Sequence, residues 1–341
     1  MGNTLEIKEI KLENDSGKIM IRAQKMFKQL LTSREFAVLS ALIIVCMFFS
    51  ITTPLFFSSL NLFQVTRQMS VMAVIATGMT FVIAAGEIDI SVGAIYNLAA
   101  NIMALLIAQR GLTPWEAAIF ALLAGLAAGM LNGALSAMLN LPSFIVTLGT
   151  VSLYRGLTIM LSGGLSIGNL PKSSFYDIGS KGLGAVPYIA IFALVIVTIG
   201  AWIFHNTVFS QNVLALGSNK EAAYRSGIQI KIRKVQVMAL NGLVCGIAAI
   251  LGIAYLQSAS PQTGVGYEMS AIAAAVVGGT PLQGGEGTVW GTLIGVALII
   301  VIQNGLILMG LPAAWQIAAT GLMILTAVGV RQIAQKRAAV R

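Results

Sequence analysis

The chain has 341 residues, of which 57% are hydrophobic and only 10% are charged, and its mean hydropathy is +0.87. A soluble globular protein needs roughly 25% charged residues to cover its surface, so this composition excludes a soluble enzyme and predicts a membrane protein. The net charge is +9, but most cations lie before the first apolar run, in one mid-chain loop and at the C-terminal end. Because these clusters adjoin apolar segments and lack interleaved aromatic residues, we expect cytoplasmic flanks and no nucleic-acid partner.

Taken in chain order, the sequence predicts an all-α, polytopic protein with about ten transmembrane helices. Residues 1–35 are polar and form a cytoplasmic tail, in which apolar residues at helical spacing allow an amphipathic interfacial helix or a solvated segment. The transmembrane domain covers 36–330, and 331–341 form a second cytoplasmic tail. The predicted spans are 36–57, 62–85, 92–109, 114–139, 143–162, 187–205, 235–257, 267–281, 288–309 and 312–330.

Charge and the number of spans agree on the orientation. Six crossings from a cytoplasmic N-terminus return the chain to the cytoplasm at the basic loop 206–234, and four more return the C-terminus there. We therefore expect a multi-pass protein of the bacterial inner (plasma) membrane with both termini cytoplasmic. The segment 267–281, about 15 residues long, is short for a span and is a candidate re-entrant segment.

Several kinds of catalytic or metal site are excluded by the residues that the chain lacks. It contains no GxxxxGK[ST] stretch, so it has no P-loop for ATP. His205 is the only histidine, and Cys46 and Cys245 both lie inside apolar runs, where they are best interpreted as packing residues. We predict no catalytic residues, no metal site and no cofactor in this chain.

A first polar interruption lies between two apolar segments and reads GEIDISVG from Gly86 to Gly93. A carboxylate at membrane depth costs at least several kcal/mol unless it is paired or hydrated. Asp89 and Ser91 can either cap the helix that starts there or line a pathway through the membrane. These residues alone leave the two roles open.

A second interruption, residues 278–287, contains five glycines in ten residues. Such a segment breaks helices and exposes backbone, which a bilayer tolerates only where protein or water covers it. The two interruptions lie at similar places in the two halves of the chain, which is compatible with a diverged internal repeat.

The mid-chain loop predicts a short helix that Asn219 caps and that ends at Gly227. A short polar helix between two spans on the cytoplasmic side is suited to docking against a soluble partner. An ordinary connector is the alternative.

Five stretches, in this order, resemble the permease family of ribose, xylose, arabinose and related ABC importers, over about Phe36 to Gly329. They are GMTFVIAAGEIDISVGA from Gly78, PSFIVTLGTVSLYRGLTIMLSGG from Pro142, ALGSNKEAAYRSGI from Ala215, GYEMSAIAAAVVGGTPLQGGEGTVWGTLIG from Gly266, and QNGLILMG from Gln303.

The resemblance implies roles for particular residues. Asp89, Ser91 and Gly93 match the family's motif at a helix break, and Asn304 matches an asparagine near the end of the ninth span. Position 87, often glycine in that family, is glutamate here. The loop that by resemblance contacts the ATPase contains Gly217, Asn219, Glu221, Ala222, Ala223, Ser226 and Gly227.

The resemblance also implies partners and a function. The chain would be the permease subunit of an ATP-driven, binding-protein-dependent monosaccharide importer, embedded in membrane lipid. Its partners would be a cytoplasmic ABC ATPase that binds ATP and Mg, an extracytoplasmic sugar-binding protein, and a second permease protomer, identical or homologous. The alternative is an ion-coupled secondary transporter or channel, in which Asp89 or Glu87 would be the ion site.

Overall fold

The structure, a computed structural model, describes residues 34–184 and 186–339, and the side chains of 36–184 and 186–329 among them. The amphipathic helix predicted before residue 34 lies outside these residues. A 3-10 turn at Ser174–Tyr176 and one two-stranded antiparallel hairpin accompany the α-helices. The elements are α1 (Arg34–Thr52), α2 (Ser59–Ala84), α3 (Val92–Arg110), α4 (Pro114–Met138), α5 (Ser143–Ser162), α6 (Asp177–Ser180), β1 (Gly182–Leu183), β2 (Val186–Pro187), α7 (Tyr188–Asn206), α8 (Val208–Ser218), α9 (Lys220–Arg225), α10 (Ile230–Leu256), α11 (Tyr267–Val277), α12 (Val289–Leu308) and α13 (Ala314–Ala339).

All ten predicted apolar segments are helical, and the all-α polytopic class is confirmed. Seven helices of the described chain are long and apolar enough to cross a membrane: α2, α3, α4, α5, α7, α10 and α12. The apolar parts of α1, α11 and α13 are shorter. Two helices extend beyond the predicted spans: α10 begins at Ile230, within the predicted loop 206–234, and α13 continues to Ala339, within the predicted tail 331–341.

Helix ends follow local sequence signals. The N-terminus of α4 has a complete capping box, in which the Thr113 side chain accepts from the Glu116 backbone N–H and the Glu116 carboxylate accepts from the Thr113 backbone N–H. Pro114 occupies the first turn, where its missing N–H costs no hydrogen bond. Gly111 ends α3 in the left-handed conformation, with φ of 66°.

Helix α10 is the centre of the bundle and packs against α2, α3 and α4. Its closest neighbour is α4, because glycines of both helices face each other at the crossing. A Cβ built on Gly242 would lie 2.7 Å from the Cα of Gly129, so the two backbones are in direct contact. Gly125, Gly129 and Gly133 of α4 are thus helix-packing residues, since each lies against the backbone of α10.

The helix connections lie on two sides of the bundle. One side, which we call the basic side, carries the residues 207–229 and the ends of α2, α4 and α11, joined by bonds such as Gly285 N–H to Ala84 O (2.9 Å). The other, which we call the opposite side, is held together by pairs such as the Ile167–Ala259 bridge and Tyr255 Oη to Gln64. The connections on the opposite side are 53–58, 111–113, 163–187, 257–266 and 309–313.

Candidate functional site

The first interruption is a non-helical segment that enters the bundle from the basic side; we call residues 86–91 the first break. Gly86 turns the chain with φ of 72°, and helix α3 begins only at Val92. Asp89, within the first break, is fully buried and bonded to Asn241. Asn241 lies six residues, about 9 Å, along α10 from Val235, where the apolar part of that helix begins, so Asp89 lies within the apolar part of the bundle.

Asp89 uses both carboxylate oxygens within the protein. Its Oδ1 accepts from the Ser91 backbone N–H (2.8 Å) and from Ser91 Oγ (2.6 Å), and its Oδ2 accepts from Asn241 Nδ2 (2.9 Å). Ser91 is the N-cap residue of α3 by position, but its side chain makes no cap hydrogen bond. The capping role is therefore wrong, and Asp89 instead fixes the first break to α10.

Two further polar side chains extend this cluster to α4 and α5. Asn132 on α4 donates to Ser91 Oγ (2.7 Å), and its Oδ1 accepts from the Tyr154 hydroxyl on α5 (2.9 Å). Asn132, Tyr154 and Asn241 were not among the predicted site residues. The signal that could have found the two asparagines is their position inside apolar helices, where an amide side chain needs a buried partner.

Glu87, on the basic side of the first break, joins Lys220 of α9 and Lys234 of α10. Its Oε1 lies 3.0 Å from Lys220 Nζ and its Oε2 lies 3.1 Å from Lys234 Nζ. The Glu87 side chain is 5% exposed. Burial raises the pKa of Glu87, but a hydrogen bond from Ser143 and the charges of Lys234 and Lys220 outweigh it, so that the pKa is lowered overall.

The loop between α7 and α10 folds as predicted around a short helix. Asn219 Oδ1 accepts from the backbone N–H groups of Glu221 and Ala222, both at 3.0 Å, so the predicted cap is confirmed. Helix α9 ends at Arg225, and Gly227 follows with φ of 83°. We call α8, α9 and the residues through Gly227 the coupling segment.

Some of the predicted site residues in the coupling segment have buried side chains, and others have exposed ones. Ala223 is buried, while the Glu221 side chain is three-quarters exposed and forms an ion pair with Arg225. Ser226 Oγ donates to the Ala222 carbonyl, which closes the end of the helix (3.0 Å). The exposed face of α9 thus carries the Glu221–Arg225 ion pair and the largely exposed Tyr224.

The coupling segment touches both interruptions through glycines, at a place that we call the glycine junction. Gly217 packs on the Ala84 carbonyl, and a Cβ built on it would also lie 2.5 Å from Gly285 N. A Cβ on Gly284 would lie 2.6 Å from Gly86 N and 3.0 Å from Gly217 Cα. The first break, the residues 278–287 and α8 therefore meet backbone to backbone.

Not all predicted site residues lie together. Asp89 and Ser91 share one cluster, and Gly93, the second residue of α3, lies against Gly264. Asn304 lies elsewhere, near the opposite-side end of α12. There it exchanges two hydrogen bonds with Asn61 of α2, at 2.8 and 3.0 Å.

Comparisons with known proteins agree with this architecture. Residues 61–328 match the family described as the permease component of the branched-chain amino acid transport system. The chain is 39% identical to the ribose import permease protein RbsC of Bacillus subtilis (strain 168), over 84% of this chain and 89% of that protein. It is 34% identical to the D-allose transport system permease protein AlsC of Escherichia coli (strain K12), over 86% and 90%.

A third relative is named for the import of autoinducer 2. The chain is 33% identical to the autoinducer 2 import system permease protein LsrC of Yersinia pseudotuberculosis serotype O:1b (strain IP 31758), over 88% of this chain and 85% of that protein. No solved structure matches. The family match and these relatives confirm the predicted resemblance, and the chain belongs to the family of transport-system permease components described for branched-chain amino acids.

Proposed function

We propose that this chain is the transmembrane permease subunit of an ATP-driven, binding-protein-dependent importer, and that it forms the translocation path for a monosaccharide. The relatives named for ribose and D-allose import support a sugar as the substrate. The observation that carries the proposal is the glycine junction, where an exposed short helix segment is in contact with both interruptions of the bundle. That arrangement suits a protein in which force applied from outside the membrane changes the shape of the path.

The charge distribution supports the positions of the partners. The basic side carries Lys220, Lys231 and Lys234, as expected of a cytoplasmic face. On this proposal both termini are cytoplasmic, the membrane is the bacterial inner membrane, and the ABC ATPase docks on α9. ATP and Mg belong to that ATPase. The sugar-binding protein docks on the opposite side.

A second permease protomer completes the proposed assembly. Helix α5 exposes large apolar side chains such as Leu148 and Ile159, and α7 exposes Phe192 and Trp202. These faces need either lipid or another protomer. We propose that part of this surface contacts the second protomer and that lipid covers the rest.

The proposed mechanism begins at the coupling segment. ATP binding closes the ATPase and displaces α9, and Lys220 and the glycine junction pass the displacement to the first break. The Asp89 cluster keeps that break attached to α10, so the start of α3 moves relative to α11. A neutral sugar needs hydrogen-bond partners along the path and no net charge.

The ion-coupled alternative is less well supported by the same geometry. Both carboxylate oxygens of Asp89 already accept hydrogen bonds from the protein, and Glu87 is held by two lysines. A cation site would need these oxygens to be available to the ion.

The test is uptake of D-ribose into proteoliposomes that contain this chain with the ATPase and binding protein of its own host. We expect uptake to require ATP and to be abolished by Gly227→Pro, because Gly227 has φ of 83° and its N–H donates to Tyr224 O. Gly310→Pro is the matched control, since Gly310 has φ of 75° and its N–H donates to Ile307 O on the opposite side. Uptake that persists without ATP and stops with an ionophore would favour the ion-coupled transporter.

A further inference from the structure

An ion pair lies inside the bundle, apart from the Asp89 cluster. Arg155 of α5 and Glu268 of α11 face each other, with Nη2 and Oε1 3.3 Å apart. Arg155 is about 18 Å along α5 from the basic-side end of that helix, at a rise of 1.5 Å per residue. Since a hydrocarbon core is about 30 Å thick, this depth is well inside it.

The charges of Arg155 and Glu268 are poorly solvated by lipid. Its side chain is 34% exposed and that of Glu268 is 15% exposed. Charged side chains at such depth face the interior of a bundle or a water-filled cavity, because hydrocarbon solvates them poorly. The open side of this pair therefore faces water or another protein.

Both side chains retain hydrogen-bonding capacity. Within the described chain, Arg155 donates through Nη2 to Glu268 Oε1, and a guanidinium has five N–H donors in all. Glu268 Oε2 is buried and accepts no hydrogen bond there. The pair thus offers free donors on Arg155, while the unused Glu268 Oε2 is covered by the start of α3 and is reached only when α3 moves.

We infer that Arg155 and Glu268 line the translocation path and bind hydroxyl groups of the transported sugar, an inference that rests on the proposed function. A hydroxyl group both donates and accepts, so once α3 moves away from Glu268 Oε2, neighbouring hydroxyls of one sugar can donate to Glu268 and accept from Arg155. The pair is neutral overall, which suits a neutral substrate.

The position of Glu268 links this site to the first break. A Cβ built on Gly93 would lie 2.6 Å from Glu268 Oε2, so only a glycine leaves the carboxylate room at the start of α3. Movement of the first break shifts α3 and changes the space beside Glu268. The sugar contact and the coupling segment are thereby connected through α3.

The first experiment measures whether water reaches Arg155 and needs no knowledge of the sugar. Arg155→Cys is made in a background in which Cys46 and Cys245 are alanine, and membranes are treated with a water-soluble cationic thiol reagent. We expect labelling at 155, because the reagent reacts with a hydrated thiolate. Leu194→Cys on the exposed apolar face of α7 is the control and should stay unlabelled. An unlabelled Cys at 155 would overturn the inference.

The second experiment measures D-ribose uptake per ATP hydrolysed, in the proteoliposomes described above. For Arg155→Gln and Glu268→Gln we expect roughly tenfold less sugar per ATP, equivalent to one lost charge-assisted hydrogen bond. Hydrolysis stimulated by the sugar-loaded binding protein should stay within about twofold of wild type. Arg110→Gln, at the exposed end of α3, is the matched control.

The outcomes separate this inference from the proposed function. Failure of the wild type to take up sugar with ATP contradicts the proposed function, while the labelling result still tests the site. Wild-type uptake with unchanged Gln variants contradicts the inference alone. A combined Arg155→Glu and Glu268→Arg exchange that restores full uptake, or a parallel fall in hydrolysis and uptake, would show a merely structural ion pair and overturn it.

Discussion

Glu87→Gln should destabilise the protein strongly, because it leaves a buried lysine without its counter-charge. Lys234 is 11% exposed in its side chain, and its Nζ lies 3.1 Å from Glu87 Oε2. Its other hydrogen bond, to Leu141 O, is long at 3.4 Å. Glutamine keeps the size of the side chain, so the change removes charge and little packing.

The magnitude follows from the exposure of the two lysines. Removing one partner of a buried ion pair costs about 3–5 kcal/mol, and Lys234 falls in that class. Lys220 is 54% exposed, so solvent screens its interaction with Glu87, and pairs of that kind contribute about 0–1 kcal/mol. We therefore expect Glu87→Gln to cost about 3 kcal/mol, nearly all of it from Lys234.

The assay is thermal unfolding of the purified protein in mild detergent, where a loss of that size lowers the midpoint by about 5 °C or more. Because the pKa of Glu87 is lowered in the folded protein, the stabilising effect is present above its ordinary value of 4.5 and is lost as the pH falls below it. The difference between wild type and Glu87→Gln should be constant near neutral pH and shrink in acid.

The control is Glu221→Gln, since Glu221 forms an ion pair with Arg225 in which both side chains are about three-quarters exposed. That variant should unfold within about 1 °C of wild type, as exposed pairs contribute little. If Glu87→Gln unfolds at the wild-type temperature, or if its loss is the same at all pH values, the ion-pair argument is refuted.

Three further changes test other parts of the site. Gly217→Val should abolish ATP-driven uptake while the protein stays in the membrane, because the new side chain separates α8 from Ala84 at the glycine junction. Asn241→Leu should cost about 1–3 kcal/mol in thermal unfolding, since it removes the donor to Asp89 Oδ2. Gly242→Ala should cost about 1–3 kcal/mol as well, because its Cβ forces α10 away from α4.

These changes have controls at exposed positions. Gly149→Val, on the exposed face of α5 with no atom within 4 Å of a built Cβ, should leave uptake and stability near wild type. Asn206→Leu, exposed at the end of α7, should unfold like wild type. Normal uptake by Gly217→Val, or unfolding of Asn241→Leu or Gly242→Ala at the wild-type temperature, would contradict the packing described above.

Much of the fold could be predicted because it depends on local sequence. Runs of apolar residues long enough to cross a bilayer predict each span directly. The short helix of the coupling segment could also be predicted, since Asn219 and Gly227 are the kinds of residue that start and end a short helix. The bounds of α10 and α13 could not be predicted, because polar residues continue both helices past the apolar core.

The candidate site was harder to predict because its contacts join distant parts of the chain. Asp89 was recognised as an unusual residue at membrane depth, but its partner Asn241 lies 152 positions away. The resemblance to relatives with glycine at 87 gave no reason to expect the ion pairs of Glu87, which depend on where Lys220 and Lys234 are brought by α9 and α10. Sequence patterns identify such residues and do not identify their partners.

The glycine junction also limits how the protein can deform. Side chains between two helices can change rotamer and absorb small displacements, whereas main chains in direct contact have no such freedom. Gly86, Gly217 and Gly284 leave no side chain between α8 and the two interruptions. The first break, the residues 278–287 and α8 therefore move together, or their contacts at the junction are lost. If the proposed coupling is correct, a displacement of the coupling segment therefore reaches both interruptions together.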